Sequence, residues 1–120
     1  LVNVGYVPES WYLDNLDVNW EAMYKNDICT AYADMTDELC AAHVLGGHGE
    51  MWGETVDASD LAQTVWPRLA SIAEKLWSPT AATAVDPDTG GAPESVLPRL
   101  EAFRCLLTER GIAAAPVGNL

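Results

Sequence analysis

Two kinds of apolar spacing run along the chain, and they predict different elements. "LVNVGYV" at the start is a continuous apolar, β-branched run closed by Pro8, which predicts a buried strand. "DVNWEAMYKND" is weakly helical. "MTDELCAAHVLGG" predicts a firmer helix: Thr36 or Asp34 caps it, Asp37 and Glu38 suit the positive end of the helix dipole, and Gly46 stops it. A second short strand is expected around Glu50 to Gly53. The order strand, helix, strand is the β-α-β unit of a parallel sheet.

Downstream, Leu61, Val65, Leu69, Ile72 and Leu76 recur at helical spacing in "LAQTVWPRLASIAEKLWS". Pro67 fits a first helical turn and disrupts an interior, so a short helical piece before it and the main helix after it are expected. Ser78-Pro79 ends that helix, Asp57 and Asp60 cap its first piece, and Trp66 and Trp77 bracket it with rings expected to pack inward. Residues 80 to 93 have the composition of a flexible surface connection. In "ESVLPRLEAFRCLLTERG", Val96, Leu100, Phe103 and Leu107 share one helical face, and Gly111 supplies a left-handed cap. Two parallel strands cannot cover their own faces or edges, so the pattern implies neighbours outside this chain.

At 120 residues and 49% apolar, the chain has material for one small core. Its 18 acidic against 6 basic residues give a net charge of -12, which repels phosphate backbones and anionic lipid heads and excludes nucleic acid as a partner. No apolar run approaches the roughly 18 to 20 residues of a membrane span, so membrane insertion is not expected. Leu1 opens no signal peptide, and a chain that does not begin with methionine suits a processed or truncated product. Cys29 and Cys40 either close a small ring or remain buried thiols, and Cys105 is then left over.

The candidate chemistry lies in a repeated local unit. Tyr12-Leu13-Asp14 and Trp52-Gly53-Glu54 each read aromatic, spacer, carboxylate at or just past the end of a predicted strand. Residues two apart in extended chain share a side, so each unit presents a ring and a carboxylate together. In parallel α/β folds the carboxyl ends of strands gather on the ligand-binding face. A sugar suits that pairing, with apolar C–H faces for the ring and hydroxyls for the carboxylate. His43, His48, Glu50 and Glu54 also have zinc-ligand chemistry. They are divided between a helix and a strand, however, and a hydrogen-bonded histidine is the simpler reading; no metal or cofactor is expected.

"SWYLD", then "VLGGHGEMWGETVDASDL", then "VWPRLASIAEKLWS", resembles the C-terminal part of the catalytic domain of the β-N-acetylhexosaminidases, the family 20 glycoside hydrolases. The resemblance runs from about Val4 to Arg110. It implies that residues 1–120 are the final quarter of an α/β (β/α)8 TIM barrel, its seventh and eighth strands with their helices. It implies an enzyme that removes terminal N-acetylglucosamine or N-acetylgalactosamine from β-linked glycans with retention, the substrate's own acetamido group assisting. Tyr12 resembles the tyrosine that bonds the acetamido oxygen, Trp52 a tryptophan against the sugar, and Asp14 and Glu54 the carboxylates on its 4- and 6-hydroxyls. The adjacent Asp-Glu pair that orients the acetamido group and donates the proton belongs to the fourth strand, so no catalytic residue is expected in this chain. Asp37-Glu38 is expected to serve its helix start instead. The isolated chain is then inactive, and a non-catalytic glycan-binding or structural remnant is the alternative.

The partners implied are the remainder of the barrel, β-linked N-acetylhexosaminide glycans and a second copy in a homodimer; the localisation implied is lysosomal, vacuolar or secreted. Cys105 resembles a family cysteine paired within the C-terminal tail. One departure stands out. The family commonly has Glu, a small residue and Cys before "MWGE", where this chain has His48, Gly49 and Glu50.

Overall fold

The computed structural model describes residues 18–29 and 34–118. These hold six helices: α1 (Trp20–Lys25), α2 (Asp37–His43), α3 (Leu61–Val65), α4 (Arg68–Trp77), α5 (Thr80–Thr83) and α6 (Val96–Glu109). The first predicted strand, Leu1 to Val7, lies outside the described residues. The second, at Glu50 to Gly53, is corrected: no strand is formed among the described residues. A strand is completed by a ladder of backbone hydrogen bonds to a neighbour, and among the described residues no neighbour pairs with this segment.

Local signals placed most helix starts. Asn19 caps α1 by accepting the N–H of Ala22 at 2.9 Å. Thr36 caps α2 by accepting that of Leu39 at 3.3 Å, with Asp37 and Glu38 in the first turn. Helix α2 ends at His43, three residues before the expected stop at Gly46. It buries none of its residues, so nothing packs its last turn into helical form. Asp60 stands at the N-cap of α3, yet its carboxylate accepts the backbone N–H of Asp57 rather than one inside the helix. Pro67 separates α3 from α4 as expected, and Ser78 closes α4 with its N–H on the carbonyl of Glu74. Helix α6 ends in a Schellman arrangement. Gly111, at φ 81°, donates to Thr108 O, and Ile112 donates back to Leu107 O at 3.0 Å.

Helix α4 buries two faces. On one, Ala70 packs against a core of Tyr24, Val96, Leu100 and Val117, joined by Trp20 and Ala92. The C-terminal tail closes over this core through three long-range bonds. Trp20 Nε1 donates to Val117 O at 3.0 Å, Arg104 Nε to Ala115 O at 2.9 Å, and Ala115 N to Trp66 O at 3.0 Å. Trp66 also meets Phe103 edge to face, with ring centroids 5.9 Å apart. The other bracketing ring is a correction to the expectation: Trp77 is 90% exposed, because α4 ends there and no described element lies over it.

Tyr24 is fully buried where α1 meets α4, and it is surrounded by charge. Its hydroxyl donates to Glu74 Oε1 at 3.1 Å, and Glu74 is also held by Arg99. Lys75 Nζ lies 5.7 Å from the centre of the tyrosine ring, 3.3 Å from Asp27 Oδ2, and donates to Thr83 O at 2.9 Å. That last bond anchors α5, which together with buried Thr83 occupies the start of the 80–93 connection. Farther along, the Asp86 carboxylate accepts the N–H groups of Asp88 and Thr89, and its carbonyl accepts that of Gly90, closing a turn.

Burial first, and the Glu74 carboxylate second, push the Tyr24 phenol up from 10.0 to about 12. A pKa raised on folding contributes stability in full below the unfolded value, and that stability is lost as pH rises through the folded one. Stability is therefore expected to hold up to about pH 10 and to fall towards about 12. Tyr24→Phe should abolish this alkaline decline, as followed by urea unfolding at stepped pH.

Candidate functional site

The second face of α4 carries the segment that opens "GGHGEMWGE". A methyl group placed on Gly47 would meet Leu76 at 3.4 Å, and one on Gly49 would lie 2.9 Å from Ile72 Cδ1 and 3.2 Å from Leu69 Cδ1. Both glycines therefore face the Leu69, Ile72, Leu76 stripe, and at Gly49 a side chain would require the terminal methyl groups of Ile72 and Leu69 to shift aside. Alternate residues turn the other way. His48 Nε2 lies 2.8 Å from Glu50 Oε1, and Trp52 Nε1 donates to Glu50 Oε2 at 3.1 Å. The segment thus keeps the period-two alternation of extended chain, with glycines against the helix and His48, Glu50 and Trp52 in a row on the opposite side.

That row differs from the expected pairing. Trp52 was paired with Glu54 on the premise of continuous extended chain, but the backbone bends through 53–55. Glu54 is exposed, with no polar partner among the described residues, and the carboxylate beside the indole is that of Glu50. Tyr12 and Asp14 lie outside the described residues, so the described geometry concerns Trp52 and Glu54 alone. The two-residue spacing would have found the Glu50–Trp52 pair too, since it applies equally upstream of the ring.

Trp52 is 60% exposed, an open ring face rather than a core residue. The hydrogen bond from His48, and after it that from Trp52, hold the Glu50 carboxyl below the usual carboxylate range. His43 lies on α2, away from this row in sequence and element, and no group of three or more His, Cys, Asp or Glu able to hold a metal gathers among the described residues. Cys29 and Cys40 are joined as a disulfide, with Cα atoms 5.6 Å apart, which ties α2 to the segment after α1. Cys105 is free and exposed on α6.

Residues 6–80 match the model of the glycosyl hydrolase family 20 catalytic domain. The chain belongs to glycosyl hydrolase family 20. It is 47% identical over 109 residues to β-hexosaminidase 3 of Arabidopsis thaliana, covering 91% of this chain and 19% of that protein. Against β-hexosaminidase 1 of the same plant it is 44% identical over 117 residues, 98% of this chain and 20% of the relative. The β-hexosaminidase subunit alpha of Mus musculus is 36% identical over 109 residues, 89% of this chain and 19% of its own length. The chain therefore spans about a fifth of the length of the curated relatives it matches.

The catalytic domain of family 20 is a TIM barrel, in which each strand is covered on its outer side by a helix. The contact of Gly47 and Gly49 with the apolar stripe of α4 has that strand-on-helix character, although the ladder itself is not formed among the described residues. Leu45, just before the row, is 84% exposed.

Three outcomes are expected. Gly49→Ala should destabilise the protein by about 1 kcal/mol or less, since the added methyl displaces only the terminal methyl groups of Ile72 and Leu69. Gly53→Ala, whose added methyl meets nothing within 4 Å, should be near neutral in the same thermal unfolding assay. His48→Ala should raise the Glu50 pKa towards the ordinary carboxylate value, since its largest lowering influence is removed. Carboxyl chemical shifts followed against pH would measure this. By the same linkage, whatever the row adds to stability is present above the ordinary carboxylate pKa and fades as pH falls through the lowered one.

Proposed function

We propose that the chain is the sugar-holding C-terminal part of a retaining, substrate-assisted exo-β-N-acetylhexosaminidase, comprising the seventh and eighth strands and helices of its barrel. The observation that carries this reading is the match to β-hexosaminidases over 91% of this chain but only 19% of the relative. An enzyme segment of this kind supplies binding groups while the proton donor comes from elsewhere in the barrel. In the motif "WYLD", Tyr12 bonds the acetamido oxygen and Asp14 a ring hydroxyl; in "MWGE", Trp52 lies against the sugar and Glu54 accepts from a second hydroxyl.

The open ring of Trp52 and the exposed carboxylate of Glu54, which has no polar partner among the described residues, support those roles. An exposed indole offers an apolar face to sugar C–H groups, and a carboxylate with free lone pairs accepts charge-assisted bonds from hydroxyls. The acetamido oxygen attacks the anomeric carbon, oriented by an aspartate, while a neighbouring glutamic acid with a raised pKa protonates the leaving oxygen. Both belong to the part of the barrel outside this chain. The substrates are β-linked glycans ending in N-acetylglucosamine or N-acetylgalactosamine, and the site of action is lysosomal, vacuolar or extracellular. The other partners are the rest of the barrel and a second copy of the protein.

The complete protein should hydrolyse 4-nitrophenyl N-acetyl-β-glucosaminide and the 120-residue chain alone should not; turnover by the isolated chain would overturn the assignment of the acid to another segment. Within the complete enzyme, Glu54→Ala should cost about 1 to 3 kcal/mol of transition-state binding, roughly 5- to 150-fold in kcat/KM. Unchanged kinetics would return Glu54 to the role of a solvated surface acid.

A further inference from the structure

We infer that Glu50 is a positioning residue for Trp52: its carboxylate holds the indole N–H and so sets the plane of the ring that meets the sugar. This rests on the reading of Trp52 as a sugar platform, and adds to it a residue that the ring-and-carboxylate pattern did not assign. The geometry is a relay along one side of extended chain. Trp52 Nε1 donates to Glu50 Oε2 at 3.1 Å, and the other oxygen, Oε1, is engaged by His48 Nε2 at 2.8 Å. With both oxygens held, the carboxylate is fixed in orientation, and the indole bonded to it loses rotational freedom about its own side-chain torsions.

The need for such a tether follows from the ring's surroundings. At 60% exposure Trp52 lacks the enclosing contacts that fix a core ring, so packing among the described residues does not choose its rotamer. Downstream the chain bends at 53–55, immediately after the ring. Upstream the frame is firm. Gly49, between the two polar residues, is pressed against Leu69 and Ile72 of α4, so the side opposite the helix is the one left to His48 and Glu50. A platform that must meet a sugar at one inclination works best when its rotamer is chosen before the sugar arrives, because the ordering entropy is then not charged to binding.

The test uses the complete enzyme carrying fluorotryptophan, with the Trp52 resonance assigned by its disappearance in Trp52→Phe. Glu50→Ala is expected to shift and sharpen that resonance as the ring is freed. It should raise KM for the chromogenic N-acetylglucosaminide about two- to tenfold, the scale of one exposed hydrogen bond, with kcat little changed. Glu50→Gln should restore both, since a carboxamide oxygen still accepts the indole N–H while its NH2 donates to a neutral His48. If Ala and Gln raise KM alike and the resonance stays put, Glu50 acts on the ligand itself and the tether is overturned. If Trp52→Phe leaves KM unchanged, the platform reading fails instead, an outcome told apart from tether failure by the resonance shift in Glu50→Ala.

Discussion

Helix α4 must bury two opposite faces at once, and the described part of the molecule is arranged by that constraint. Its ten residues place Ala70 and fully buried Ser71 towards the core and Leu69, Ile72 and Leu76 towards the glycine segment. Glu74 and Lys75, adjacent in sequence, flank Tyr24 from the hydroxyl end and the ring face. Moving α4 by a fraction of a turn would separate Tyr24 from Glu74 on one side and open space over Gly49 on the other. The structural core and the segment carrying His48, Glu50 and Trp52 thus both pack on one element.

The polar ring around Tyr24 shows how this part of the chain tolerates charge in its interior. An isolated buried carboxylate would be costly, but Glu74 meets both a phenol and a guanidinium, and Lys75 meets a carboxylate, a carbonyl and a ring face. These bonds tie the short helices α1 and α5 to the longer α4 and α6. A helix of four to six residues has little stability of its own, so α1 and α5 persist through what they touch. The disulfide between Cys29 and Cys40 does comparable service for α2, which buries nothing.

The two faces of α4 divide the labour. One face gives rigidity, and the other supports the segment from which Trp52 projects. Leu45, Trp52 and Trp77 are large apolar side chains left exposed among the described residues. The strong negative charge belongs to the same picture. A net charge of -12 repels phosphate backbones, while the groups proposed to meet sugar use single carboxylates against neutral hydroxyls.

Much of this was legible in the sequence, and the reasons are local. Caps at Thr36, the break at Pro67, the stop at Ser78 and the glycine turn at Gly111 follow from the chemistry of a few neighbouring atoms, so residue identity decided them. The family, too, was written in ordered motifs from "SWYLD" to "LWS". What the sequence alone did not decide depended on neighbours distant along the chain. The stretch at Glu50 to Gly53 alternates like a strand, yet it becomes one only with a ladder partner. Trp77 has the composition of a core residue, and only the placement of other elements left it exposed. The carboxylate chosen by Trp52 was likewise a tertiary decision, because two candidates lie at equal spacing and the bend at 53–55, with Gly49 against α4, selected Glu50. Residue type determines what a group is able to bond, whereas the packing of α4 determines which of those bonds is within reach.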